Sequence, residues 1–212
     1  MTLRRVLPLS ATAVLALGLA LGAAGCDDTG SDAPTSLDGV VRTPPRNVSS
    51  VTLPDETPGA DGAPFSMKAA PGELLLAYFG YTNCPDVCPT TLSDIGVALR
   101  KLPRSERDRV DLAFVTVDPA RDSGEKLASY LDHFVARGHA LRTTDAALQQ
   151  SAQDAFGVVA RQIPEGTSYS MEHTAVTYVI DDTGRVVVEW PFGTQPAAMA
   201  DDLRYLFDRG EP

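Results

Sequence analysis

Two cysteines, Cys84 and Cys88, stand four positions apart in the run Cys84-Pro85-Asp86-Val87-Cys88-Pro89. An apolar, strand-like segment, Leu74 to Phe79, precedes them, and a helix-like segment, Thr90 to Leu102, follows. Residues four apart at the start of a helix share one of its faces. A helix N-terminus carries unpaired N–H groups and a partial positive charge, which favour thiolate over thiol. Two neighbouring thiolates can close a disulfide or hold a soft metal ion.

The rest of the chain must carry this pair to its compartment and position it. Met1-Thr2-Leu3-Arg4-Arg5 is a charged start, and Val6 to Ala24 is mostly apolar. That is the pattern of an export signal over residues 1–25. Pro8, Ser10, Thr12 and several glycines weaken the competing reading of a transmembrane helix. The small residues Gly22-Ala23-Ala24-Gly25 before Cys26 resemble the lipobox of bacterial lipoproteins. That resemblance implies that Cys26 becomes an acylated N-terminus. Arg4-Arg5 alone are weak grounds for twin-arginine export. With Cys26 acylated, Cys84 and Cys88 are the remaining thiols of a three-cysteine chain, and export places them where disulfides persist. The expected location is the outer face of the cell membrane.

The 18 basic residues include Arg4 and Arg5, so without the leader 16 face 28 acids, a net charge near −12. There is no basic footprint for nucleic acid. An electrostatic membrane dock is equally unsupported, which leaves anchoring to the lipid. An acidic surface suits a cationic metal or a basic partner, and equally simple solubility.

Residues 26–46 are rich in Asp, Ser, Thr, Pro and Gly and read as a lipidated cysteine and flexible tether. Residues 47–212, about 165 of them, suit one domain. Val51 to Leu53 and Pro64 to Met67 read as a hairpin across Pro58-Gly59 and Asp61-Gly62. Glu73 to Phe79 and Val110 to Val117 read as buried strands. Helices are expected from about Pro85 to Leu102, over Glu125 to Ala136, from Asp145 as N-cap to Phe156, and over Gln195 to Arg209. Val158 to Ile163 reads as a short strand. Thr174 to Ile180 and Arg185 to Trp190 form a hairpin across Asp181-Asp182-Thr183-Gly184. Parallel strands joined by helices and closed by a hairpin give an α/β sandwich of thioredoxin type with a central mixed sheet. The cysteines then lie at the C-terminal end of a strand, where such folds carry chemistry.

Phe79 to Thr91, with the cysteine pair at its centre, resembles the signature of the Sco (SenC) copper chaperones. Val115-Thr116-Val117-Asp118-Pro119-Ala120-Arg121-Asp122 resembles that family's second motif, and Tyr169-Ser170-Met171-Glu172-His173-Thr174 its third. The three motifs stand in the family's order, and the similarity spans roughly residues 47–212. The resemblance implies a membrane-tethered thioredoxin-like protein. It would take one copper ion, as Cu(I) and also Cu(II), from an upstream donor and pass it to the copper-accepting subunit of cytochrome c oxidase. It also implies that Cys84, Cys88 and His173 are the ligands.

The donor types suit that metal independently, since Cu(I) prefers thiolates and accepts imidazole. Zinc is the rival, but it usually takes four ligands. Here the fourth would have to be a carboxylate such as Asp86 or Asp118. Position alone leaves His173 between a loop histidine before a strand and a ligand. His133, inside a helix, reads as solvated or capping. His139, after Arg137-Gly138, reads as a cation at a helix end. Asp86 and Asp118 are candidates to orient the ligands; helix-start stabilisation and turn shaping account for them as well. Tyr81, Met171 and Trp190-Pro191-Phe192 read as packing residues.

The alternative function is a thiol–disulfide oxidoreductase that reduces the cysteines of the oxidase copper site, with Cys84 and Cys88 as the redox pair. Three residues between the cysteines, rather than the two usual in thioredoxin-like reductases, weaken it, and disulfide exchange needs no histidine. A peroxidase is less favoured still, because it would need an arginine beside the cysteine.

Overall fold

The computed structural model describes residues 35–210. The segment expected to be an export signal, residues 1–25, and Cys26 lie outside the described residues. Among the described residues, no helix is long and apolar enough to cross a membrane.

In chain order the elements are β1 (Thr52–Asp55), β2 (Ala63–Ser66), β3 (Leu74–Gly80), α1 (Val87–Lys101), α2 (Arg104–Arg107), β4 (Val110–Thr116), α3 (Gly124–Asp132), β5 (Gly138–Leu141), α4 (Ala146–Phe156), β6 (Ala160–Glu165), β7 (Ser168–His173), β8 (Val176–Ile180), β9 (Val186–Pro191) and α5 (Pro196–Arg209). Seven strands form one mixed sheet in the order β2-β1-β5-β4-β3-β8-β9. β3, β4 and β5 are parallel, while β8, β9 and β1 run antiparallel to their neighbours. The thioredoxin-like sandwich is the fold read from the sequence, closing hairpin included.

β3 is buried at every position, as a central strand covered on both faces must be. Successive side chains point to opposite faces. Tyr78 stacks on Phe114 at 6.0 Å, whereas Phe79 meets Phe156 of α4 at 5.1 Å. On the Tyr78 face, α1 packs beside α5. Gly96 of α1 lets the backbone at Phe134 approach so closely that a Cβ would stand 2.6 Å from its carbonyl oxygen.

Three local expectations differ from the structure. α3 stops at Asp132 instead of Ala136, and residues 138–141 form β5 rather than a helix end. A four-residue strand with two buried positions gives too short an alternation to be read. Ser168–His173 forms β7, paired with β6 in a separate two-stranded sheet, where a loop was expected. Its polar sequence hides the period. The tether expected up to Arg46 is laid along β9 from Asp38 onward. Val40 exchanges two backbone hydrogen bonds with Glu189, Val186 N–H donates to Arg46 O, and Asp202 accepts from Asp38 and Gly39 N–H. A polar segment can dock this way because an open sheet edge offers backbone groups rather than apolar surface.

Candidate metal centre

β3 ends at Gly80, and α1 begins at Val87 with Asp86 at its N-cap position. Only Cys88 therefore lies in the helix, which corrects the expectation of two cysteines on one helical face. Cys84 sits in the preceding loop, with its sulfur held over the helix start. Cys88 N–H donates to Cys84 Sγ at 3.3 Å. The unpaired donors of a helix start thus stabilise a thiolate on Cys84.

Cys88 is fully buried and Cys84 partly exposed. Gly80 leaves room for the Cys88 sulfur: a Cβ at residue 80 would stand 3.0 Å from it and 2.7 Å from Phe114 Cε2. His173, the last residue of β7, brings Nε2 to 3.4 Å from Cys88 Sγ. Its Nδ1 lies 3.1 Å from the carbonyl oxygen of Thr174. A carbonyl only accepts, so Nδ1 carries the proton and Nε2 offers its lone pair to the sulfurs. Edge contacts from Tyr81 at 5.9 Å and Tyr78 at 6.2 Å hold the ring.

The donor atoms of Cys84, Cys88 and His173 all lie within 4.8 Å of one another. Typical metal–sulfur and metal–nitrogen bonds of about 2.3 and 2.0 Å put two ligands of one ion at most about 4.6 Å apart. The three donors are thus close to coordinating separation already. A hydrogen bond from the Cys88 thiol, with the N–H groups of Cys88 and Asp86, outweighs burial and holds the Cys84 pKa far below its ordinary value. Cys88 moves the opposite way, because it donates that bond and is buried.

The second motif lies beside the centre without reaching it. Asp118 is buried. It accepts from Tyr169 Oη at 2.9 Å and pairs with the Arg121 guanidinium. Arg121 donates in turn to Tyr169 O at 2.7 Å. Asp118 therefore holds the strand that ends in His173. Asp86 is exposed, and its carboxylate meets Thr90 Oγ1 at 3.4 Å; its backbone N–H, not its carboxylate, faces Cys84.

Asp122, given no role by sequence reasoning, is fully buried. It accepts from Thr82 N–H at 3.1 Å and Thr116 Oγ1 at 2.7 Å, and from Thr82 Oγ1. An acid five residues past a buried strand, flanked by polar residues, was the available signal. Of the other residues weighed, Tyr81 packs as expected and accepts from Met171 N–H at 3.4 Å. Trp190 is core and donates to Asp202, whereas Phe192 is 48% exposed rather than packed. His133 bonds its own helix at Ser129 O. His139 is not a helix-end cation; it lies in β5, 2.7 Å from Asp55.

Comparison with known proteins gives the same lineage. Residues 51–208 match the family model described as SCO1/SenC. The SCO2-like protein of Rickettsia conorii is 30% identical over 147 residues, 68% of this chain and 71% of its own length. Among solved structures, copper-bound ScoI of Bradyrhizobium japonicum aligns with a TM-score of 0.62 and 33% identity, over 81% of this chain and all of its own. Copper-bound yeast Sco1 aligns with a TM-score of 0.60 and 26% identity, over 79% of this chain and 86% of its own. With its three motifs folded around one centre and a family match over most of its length, the chain belongs to the SCO1/SenC family.

Proposed function

We propose that this protein binds one copper ion through Cys84, Cys88 and His173 and passes it to the copper-accepting subunit of cytochrome c oxidase during assembly. The observation that carries this reading is the convergence of two sulfurs and an oriented imidazole nitrogen within 4.8 Å. Two thiolates and one neutral imidazole are a soft, low-coordinate set suited to Cu(I), and the imidazole extends it to Cu(II). Among the described residues no further His, Cys, Asp or Glu joins these three donors, and Asp86 and Asp118 turn elsewhere, so the four-coordinate rival, zinc, fits less well.

Burial sets the order of ligand exchange. Cys84 is partly exposed, so an incoming acceptor thiolate reaches copper from its side, while the buried Cys88 holds the ion until last. A lipid on Cys26 would keep the domain at the outer face of the membrane, near a membrane-bound acceptor.

Anaerobic titration of the purified, reduced protein with Cu(I) tests the reading. One copper per chain is expected, with weaker binding in Cys84→Ala, Cys88→Ala and His173→Ala. A His173→Ala protein that binds as tightly as the parent refutes the ligand set.

The asymmetry of the cysteines also favours a second reading, thiol–disulfide exchange with the acceptor. The Cys84 thiolate would attack an acceptor disulfide to give a mixed disulfide. Cys88 would then resolve it, leaving the acceptor as a dithiol and this chain with a Cys84–Cys88 disulfide. Disulfide reduction by the copper-free protein, undiminished in His173→Ala, would make this the primary activity.

A further inference from the structure

β6 and β7 pair with each other and not with the main sheet. An isolated two-stranded hairpin is marginal in water, so its attachments to the body decide where His173 sits. At the base, Thr174 N–H donates to Val159 O at 2.9 Å and Val159 N–H to Thr174 Oγ1 at 3.1 Å. The tip turns at Gly166, whose φ is +62°. Between base and tip, alternate positions of β7 touch the body, as the strand period requires. His173 meets Cys88, the backbone of Met171 meets Tyr81 Oη, and Tyr169 meets Asp118 and Arg121.

The attachment at Tyr169 is the most elaborate. Its hydroxyl donates to Asp118, its carbonyl accepts from Arg121 Nη1, and the Arg121 guanidinium carbon lies 3.7 Å from its ring centre. Asp118 is buried and pairs with Arg121, whose side chain is 23% exposed. Charge-assisted bonds in such a setting are stronger than surface ion pairs. The same guanidinium is 5.8 Å from the Tyr81 ring, which in turn braces the His173 imidazole. The segment that supplies this clamp also fixes the cysteine loop. Asp122 binds Thr82, and Lys126 Nζ donates to Asn83 Oδ1 at 2.7 Å.

We propose that Arg121 and Tyr169 are positioning residues, a latch that keeps the His173 hairpin seated and thereby sets how fast copper leaves the site. The copper half of this claim rests on the function proposed above. The seating half does not. Coordination tolerates displacements of only about half an ångström, so a hairpin tilting about Val159 and Thr174 would loosen the imidazole while both sulfurs stay in place.

Tyr169→Phe and Arg121→Gln, singly and together, test the latch by two readouts. The first, amide hydrogen exchange of the copper-free protein, needs no metal. Each single change should raise exchange in residues 160–173 about tenfold, the scale of one hydrogen bond, with β3 and β4 unchanged. The double variant should be no faster than the two singles combined, because both act through one contact. The second readout is the rate at which bound Cu(I) passes to a soluble chelator, expected to rise by about the same factor. Unchanged hairpin exchange overturns the latch. So does exchange raised equally across β3 and β4, or faster hairpin exchange with unchanged copper release. A parent protein that takes no copper refutes the proposed function, while hairpin exchange still decides whether Arg121 and Tyr169 seat the strand.

Discussion

The sulfur of Cys88 and Nε2 of His173 lie 3.4 Å apart across 85 positions of chain. Strand pairing brings them together. β8 runs antiparallel to β3, with Thr177 opposite Tyr78. The start of β8, just after His173, and the end of β3, just before the cysteines, therefore fall at one end of the sheet. Neither motif contains the site; the pairing of two central strands assembles it.

If both sulfurs are ligands, joining them removes the site. Protein oxidised to the Cys84–Cys88 disulfide should bind Cu(I) at least about tenfold more weakly than the dithiol, a difference of about 1.4 kcal/mol. A thiol reductant should restore binding. Competition with a Cu(I) chelator measures it, and equal affinity in the two forms would speak against thiolate ligation.

Gly80 is where the core and the metal centre meet. A methyl group there would press on Cys88 Sγ at 3.0 Å and on the rings of Phe114 and Tyr78. Gly80→Ala should cost about 1–3 kcal/mol of stability by overpacking and also weaken copper binding. Urea unfolding and copper competition together check this. A variant that loses stability but binds copper normally would show that the sulfur has freedom to shift.

Asp122 satisfies donors from two segments inside the protein. Asp122→Ala leaves Thr82 N–H and the Thr116 hydroxyl without their acceptor. The expected loss is about 2–4 kcal/mol, read as a lower urea midpoint. A midpoint within experimental error of the parent would mean that solvent replaces the carboxylate without cost.

His139 makes stability depend on pH. Burial alone would lower its pKa, but the carboxylates of Asp111 and Asp55 raise it above 6.5. Against its burial, Asp111 is held down at about 2 by His139 and by the Arg137 guanidinium together. A folded-state pKa above the unfolded one stabilises fully below about pH 6.5 and is lost as pH climbs through the raised value. The thermal midpoint of the parent should thus fall, relative to His139→Gln, between pH 6 and pH 8.5. Parallel midpoints in the two proteins would remove His139 from the account.

Apolar runs made most strands of the main sheet legible in the chain, β5 excepted. The unbroken apolar run of β3 and the mostly apolar β4 read as buried strands, and Asp145 capped its helix as its residue type predicts, accepting from Ala147 and Leu148 N–H. The elements that went unread are short or polar. β7 carries its alternation on Tyr169, Met171 and His173 among serines and a glutamate, which reads as loop until Tyr169 is seen on Asp118. The strap along β9 is held by backbone bonds, which no side-chain pattern reports. The ligand types were legible from chemistry and from the resemblance. The supports, Arg121, Asp122 and Tyr169, were not, because a buried acid or a stacked arginine looks like any surface residue until its partners are known.

X-ray absorption at the copper edge of the reduced, Cu(I)-loaded protein tests the central claim most directly. Two sulfur neighbours and one nitrogen neighbour are predicted, with the nitrogen lost in His173→Ala. A copper environment of sulfur alone, identical in the parent and in that variant, would contradict the account.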